Sequence, residues 1–159
     1  MLATRLLCAH HRAIEAIFKK LEPRAVEREA LLAELADSLA AHLFIEQELF
    51  YPAVSGVEPI LVGESLEEHA LIELALKRLL ELQPSAETFA ARLKTIQKLL
   101  EFHDDEEEHR LFPRVERQLG ALWLRETGLD LEARYERARA AGYQSILPAG
   151  FGRTSADTH

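Results

Sequence analysis

The sequence predicts an all-α fold, an up-down-up-down four-helix bundle with a short additional C-terminal helix. Three observations predict it. Long stretches are rich in Leu, Ala, Glu, Arg and Lys, which form helices well. β-branched residues are scarce and never alternate with polar ones, so nothing reads as a strand. Glycine and proline gather at a few points, namely Pro23, Pro52 to Gly56, Pro59, Gly63, Pro84, Gly120, Gly128 and the segment after Gly142, and the stretches between them have the length of bundle helices.

The first helix, about residues 3–21, carries Leu7, His11, Ile14, Phe18 and Leu21 on one stripe, with Glu15 at its edge. The second, about 26–54, carries Leu32, Leu35, Leu39, His42, Glu46 and Leu49. The third, about 60–82, carries Val62, Leu66, His69, Glu73, Leu76 and Leu80. The fourth, about 86–118, carries Phe89, Leu93, Ile96, Leu100, His103, Glu107 and Leu111, and Ser85 is placed to cap its start. A shorter fifth helix is read near 129–141. Residues 1–143 are read as one domain and 144–159 as a tail, frayed from Arg153 to His159.

A chain of 159 residues suits one domain and can bury a core without disulfides. With 48% hydrophobic and 29% charged residues, disorder along the whole length is excluded. No 18-residue stretch is free of charge, which excludes a membrane-spanning helix. Met1 to Arg12 makes a poor signal peptide, and the lone Cys8 cannot form an internal disulfide, so a cytoplasmic location is expected. A net charge of −8 argues against nucleic acid and anionic membranes as partners.

The seams hold the chemical signal. Each apolar stripe is interrupted by a histidine and a glutamate four residues apart: His11–Glu15, His42–Glu46, His69–Glu73 and His103–Glu107. Residues i and i+4 share one helix face, so each pair can reach the bundle axis. An ionised carboxylate buried without a partner is costly. Four such pairs in one core need compensation, and imidazole with carboxylate is a ligand set for a transition metal.

The chain also reads as an internal duplication. An offset of 58 pairs His11, Ile14, Glu15 and Phe18 with His69, Ile72, Glu73 and Leu76. An offset of 61 pairs His42, Glu46 and Pro52 with His103, Glu107 and Pro113. Each proline follows its histidine by ten residues, where it must kink or end the helix. A half-site used twice fits two metals between the halves.

In its order of motifs the sequence resembles the hemerythrin-like family, the HHE cation-binding domain. The pattern of a lone His, His-x3-Glu, a second lone His and a second His-x3-Glu, the latter two followed by Leu-Phe-Tyr-Pro and Leu-Phe-Pro, runs through residues 9–115. The resemblance implies a four-helix bundle around two non-haem iron ions. It implies ligands at His11, His42, Glu46, His69, His103 and Glu107, with Glu46 and Glu107 as bridges.

The sequence departs from the oxygen carriers of that family at two places. Glu73 stands where they have a second His on the third helix, and His10 stands where an Asp usually precedes the first ligand. Glu73 and Glu15 are therefore candidate oxygen donors and His10 a further candidate. His10 points about 100° from His11, which also suits a supporting or surface role. His109 is read as solvent-exposed, and the run Asp104 to Glu108 as a solvated acidic face with Glu107 turned inward. Cys8 reads as a small core residue. Phe50, Tyr51 and Phe112 read as packing that keeps the site dry. No catalytic residue is assigned.

The resemblance implies a protein that binds or senses O2, NO or peroxide at a diiron centre. The alternative is a diiron oxidase or peroxidase, or an iron donor in oxidative or nitrosative stress and iron–sulfur repair. No output domain is recognisable, so a sensor would act through a separate protein partner.

Overall fold

The computed structural model describes residues 1–21, 26–82 and 85–147. The breaks read at Pro23 and Pro84 and the frayed tail lie outside them. Among the described residues the chain is helical, with no strand. The elements are α1 (Ala3–Lys20), α2 (Arg28–Ile45), a π-helical turn (Glu46–Phe50), α3 (Tyr51–Val54), α4 (Pro59–Leu79), α5 (Ala86–Glu106), a second π-helical turn (Glu107–Leu111), α6 (Phe112–Ala141) and α7 (Tyr143–Ile146).

Two apolar clusters fix the directions of the helices. One contains Leu6, Leu7, Ile45, Tyr51, Leu61, Val62, Leu111 and Val115. The other contains Ile14, Phe18, Leu35, Leu39, Ile72, Leu76, Phe89 and Ile96. Thus α1 runs from the first cluster to the second, α2 returns, α4 goes out again and α5 comes back, the up-down-up-down order the sequence predicts. Each fully buried Leu, Ile or Phe contributes roughly 1.5–3 kcal/mol relative to an exposed one. The histidine–glutamate layer lies between the two clusters, where helices dense in such side chains hold it on both sides.

Several sequence readings hold at the residue level. Ser85 caps α5, its hydroxyl accepting from the Thr88 amide at 3.1 Å. Pro52 and Pro113 mark the two related distortions, which take the form of wide π turns rather than simple breaks. In each turn the amide after it reaches back five residues, Tyr51 to the Glu46 carbonyl and Phe112 to the Glu107 carbonyl. The wide turn lets the chain pass a proline that has no amide hydrogen and remain one rod.

Three readings are corrected. Leu66, placed in the seam, is 41% exposed, because it falls to the outer side of a stripe centred on His69 and Ile72. The fifth helix begins just after Gly120, where φ is +75° and the helix kinks, rather than near 129. Gly128, read as a break, is inside that helix: a Cβ there would run into the Met1 carbonyl and lie 3.0 Å from the Ala3 amide nitrogen. It is a close approach of the C-terminal helix to the start of α1.

Packing also continues beyond residue 143. The Tyr143 amide donates to Asp37 at 2.9 Å, and α7 packs against α2 and α6, so part of the segment read as tail is folded onto the bundle.

Candidate metal centre

Four helical rods deliver six buried side chains to one layer: His11 from α1, His42 and Glu46 from α2 and its π turn, His69 from α4, His103 and Glu107 from α5 and its π turn. None exceeds 1% exposure, so water cannot compensate their charge or polarity. They form two overlapping groups, His11, His42, Glu46 and Glu107, and Glu46, His69, His103 and Glu107. Within each, one donor atom per residue lies within 4.8 Å of all the others.

The two carboxylates belong to both groups, one oxygen to each. Glu46 Oε1 is 3.2 Å from His42 Nε2, while its Oε2 is 2.9 Å from His69 Nε2 and 3.9 Å from His103 Nε2. Glu107 Oε2 is 3.3 Å from His11 Nε2, while its Oε1 is 3.4 Å from His103 Nε2. In the first group His11 Nε2, His42 Nε2, Glu46 Oε1 and Glu107 Oε2 are all buried and have no hydrogen-bond partner among the described residues. Four convergent orphaned polar atoms, two imidazole nitrogens and two carboxylate oxygens, fit a bound transition-metal cation and fit little else. The second group repeats the donor set.

Sequence reasoning missed Tyr51. Its hydroxyl stands inside the second group, 2.9 Å from His69 Nε2, 3.4 Å from His103 Nε2 and 3.2 Å from Glu46 Oε2, and it donates to Glu107 Oε1. Burial, followed by the charges of Glu107 and Glu46, pushes the phenol well above its usual range. Its counterpart in the other half is Phe112, whose ring lies parallel to His11 with centroids 6.2 Å apart.

The outer nitrogens of the histidines are held unequally. His11 Nδ1–H donates to Glu108 and His103 Nδ1–H to Glu68, each at 2.8 Å; a carboxylate only accepts, so the proton sits on Nδ1. His42 Nδ1 faces His10 Nδ1 at 3.4 Å, and His69 Nδ1 has no partner among the described residues. Each group therefore contains one carboxylate-backed imidazole and one that is not.

Electrostatics follow from this. Burial alone would lower His11, but the Glu107 carboxylate beside Nε2 and the Glu108 carboxylate bonded to Nδ1 outweigh it and raise it to about 10. Burial likewise opposes protonation of His103, while Glu107, Glu46 and Glu68 drive it well above the usual imidazole range. Burial would raise Glu46, yet His42, His103 and His69 hold it well below an ordinary carboxylate.

The further candidates are placed elsewhere. Glu73 is half-buried and accepts from Gln47 Nε2 at 3.3 Å; it joins neither group. It lines a surface cleft of about 280 Å³ with Phe44, Gln47 and Ile146. Glu15 is tied to Arg12 at the rim. His10 is buried, stacks on Tyr135 and has its Nδ1 3.4 Å from His42 Nδ1. His109 is exposed beside Asp105, as read.

The acidic run is corrected. Asp104 is buried, with Oδ1 3.5 Å from His11 Nε2, and Glu108 is half-buried on the outer nitrogen of His11. Positions 104, 107, 108 and 111 share one helix face at spacings of three and four, a signal that the sequence already contained. Burial raises Asp104 to about 6. Cys8 is half-buried near His11 and Glu108; burial first, then Glu108, raises its thiol to about 12.

The profile of the Hemerythrin HHE cation binding domain matches residues 2–115. Two curated relatives, the uncharacterized proteins Rv2633c of Mycobacterium tuberculosis and Mb2666c of Mycobacterium bovis, are each 27% identical over 154 residues, covering 94% of this chain and 95% of their own. A crystal structure of an HHE cation-binding domain-containing protein from Mycobacterium kansasii, described as a homolog of Rv2633c, superposes with a TM-score of 0.79 at 30% identity, covering 89% of each chain. No helix among the described residues is long and apolar enough to cross a membrane.

Proposed function

Because the chain belongs to the hemerythrin HHE cation-binding domain family, we propose that its two donor groups hold two non-haem irons bridged by Glu46 and Glu107, and that the centre binds O2, NO or peroxide. The observation that carries this is the division of both carboxylates, one oxygen to each histidine pair. A single-metal site would need one oxygen from each carboxylate and would leave the second histidine pair, with the other two oxygens, without a cation. Bound iron would supply electrons and an open position for a small ligand.

The protein's own residues do the rest. His11, His42, His69 and His103 present nitrogen lone pairs from fixed directions. The apolar clusters above and below exclude bulk water from the layer. Burial of all six donors weighs against easy release of iron to a partner.

One observation favours the second reading, a peroxide-consuming or oxidase activity. The Tyr51 hydroxyl lies among the donors of the second group. It is a neutral phenol in the metal-free chain, but one that lost its proton on binding iron would be an anionic oxygen donor, which stabilises ferric over ferrous iron. An oxidation-prone centre would reduce its ligand rather than return it.

The test is anaerobic loading with iron followed by exposure to O2. Two irons per chain are expected. One metal per chain, or tight binding of zinc alone, would overturn the diiron assignment. A stable and reversible oxygenated spectrum supports the binding role; irreversible oxidation with peroxide turnover supports the enzyme.

A further inference from the structure

His10 is not one of the six donors, yet it meets one of them. Its Nδ1 lies 3.4 Å from His42 Nδ1, and the two rings are edge-on, 80° apart. On its other side His10 stacks against Tyr135, with centroids 3.9 Å apart and planes 24° apart. Tyr135 belongs to the C-terminal part of α6, beyond residue 115 where the family match ends.

We infer that His10, clamped by Tyr135, is a positioning residue that fixes His42 as the Nδ1–H tautomer and so turns the His42 lone pair at Nε2 toward the metal. The inference rests on the metal-binding reading above and adds the C-terminal helix to the centre.

The argument is one of proton positions. Two imidazole nitrogens that face each other can bond only if one donates and the other accepts. If His42 Nδ1 accepted, its proton would sit on Nε2, inside the first donor group beside Glu46 Oε1, and would block a cation there. If His42 Nδ1 donates, Nε2 carries a free lone pair, and His10 accepts at Nδ1 as a neutral ring.

The stack supplies what the hydrogen bond lacks. His10 could rotate about its side-chain torsions were its ring not held flat. Tyr135 holds it, and α6 is in turn held by the Gly128 approach to α1 and by Arg139 donating to Ser38 at 3.3 Å. A neutral acceptor also polarises His42 less than Glu108 polarises His11, so the two imidazoles of the first group differ in donor strength.

The experiment titrates the full-length chain with cobalt(II) under anaerobic conditions and reads visible absorption. His10→Phe keeps a flat ring but removes the acceptor, and His10→Asn restores an acceptor. Tyr135→Leu removes the stack, and Tyr135→Phe keeps it. His10→Phe and Tyr135→Leu should each weaken one of the two bound ions about 10–100-fold and spare the other, the usual effect of losing such a support. His10→Asn and Tyr135→Phe should bind nearly as the wild type does.

Nitrogen-15 shifts of the His42 ring in the zinc-loaded wild-type protein give a readout independent of any variant, and a proton on Nδ1 is expected. Wild-type affinity at both ions in His10→Phe, or a proton on His42 Nε2, would overturn the inference while leaving the metal-binding reading intact. A wild-type chain that takes up no cobalt would overturn both.

Discussion

Tyr51 and Phe112 hold equivalent places in the two halves of the bundle, and only Tyr51 carries a hydroxyl into the donor layer. Each follows a π-helical turn and precedes a proline. At this pair of positions the duplication is broken by one hydroxyl, and the break gives the second donor group a phenol oxygen that the first does not have. Replacing Tyr51 with Phe tests what that atom does. Phe112 shows that a phenyl ring suits the position, so the fold should persist and two irons should still bind. Oxidation of the reduced protein by O2 should slow several-fold, as followed by stopped-flow absorbance. An unchanged rate would reduce Tyr51 to packing.

Glu46 and Glu107 each serve both groups, so neither can be removed at the cost of a single ion. Glu46→Ala or Glu107→Ala is expected to lower iron content from two per chain toward none, measured by elemental analysis after gel filtration. Retention of one full equivalent in either variant would assign that carboxylate to one metal only.

The bundle, its helix order and the four inward His–Glu pairs were legible in the sequence, because the 3.6-residue period writes an inward face directly into residue spacing, while the choice of six donors among those eight residues came from the resemblance to the HHE family. Tyr51 was not legible for the same reason. It lies nine residues after His42, which on an uninterrupted α-helix puts the two about 180° apart. The π turn at Glu46–Phe50 adds a residue to the rod and rotates everything after it by about 100°, bringing the phenol round to Glu46. The available clue was the proline at position 52, read as a kink rather than as a change of phase.

Glu73 failed in the opposite way. Spacing of four from His69 puts it on the correct face, but spacing says nothing of height along the bundle axis. One turn beyond the donor layer its carboxylate reaches Gln47 instead of the centre. Gly128 was misread because a glycine required by a close approach of two backbones looks, in sequence, like a helix break.

Acid–base behaviour should differ with and without metal. Iron needs neutral imidazole, but His11 in the metal-free chain is raised to about 10 and His103 also lies well above its usual range. Metal affinity should therefore keep rising with pH well past about 6.5, where an unperturbed histidine would level off. The stability of the metal-free chain should move the other way. Protonation of these two residues stabilises the folded state fully below about 6.5, and that contribution is lost as pH rises toward 10. Thermal melts between pH 7 and 10 should fall for the metal-free protein and hold or rise for the iron-loaded one. Parallel curves would show that the histidines are already neutral at pH 7.

Gly128→Ala isolates the docking of the C-terminal helix. The added Cβ meets the Met1 carbonyl, a backbone atom that cannot move without shifting the first turn of α1. Overpacking of this kind costs about 1–3 kcal/mol. A lower melting temperature is expected, although alanine is the better helix former by up to about 1 kcal/mol. An unchanged or higher melting temperature would mean that the start of α1 gives way freely.

The carboxylates behind His11 and His103 offer the last test, because each backs one donor group. Glu108 accepts from His11 Nδ1 and also binds Arg12, while Glu68 accepts from His103 Nδ1. A carboxylate in that place makes the imidazole a stronger donor and fixes its tautomer. Glutamine can still accept through its amide oxygen but carries no charge. Glu108→Gln should therefore weaken the ion held by His11 and His42, and Glu68→Gln the ion held by His69 and His103, each by about 10-fold or more. The two variants together should weaken both ions, with little effect of one change upon the other. If either single variant weakened both ions equally, the two groups would be one site sharing all of its donors, and the division of Glu46 and Glu107 between them would have to be abandoned.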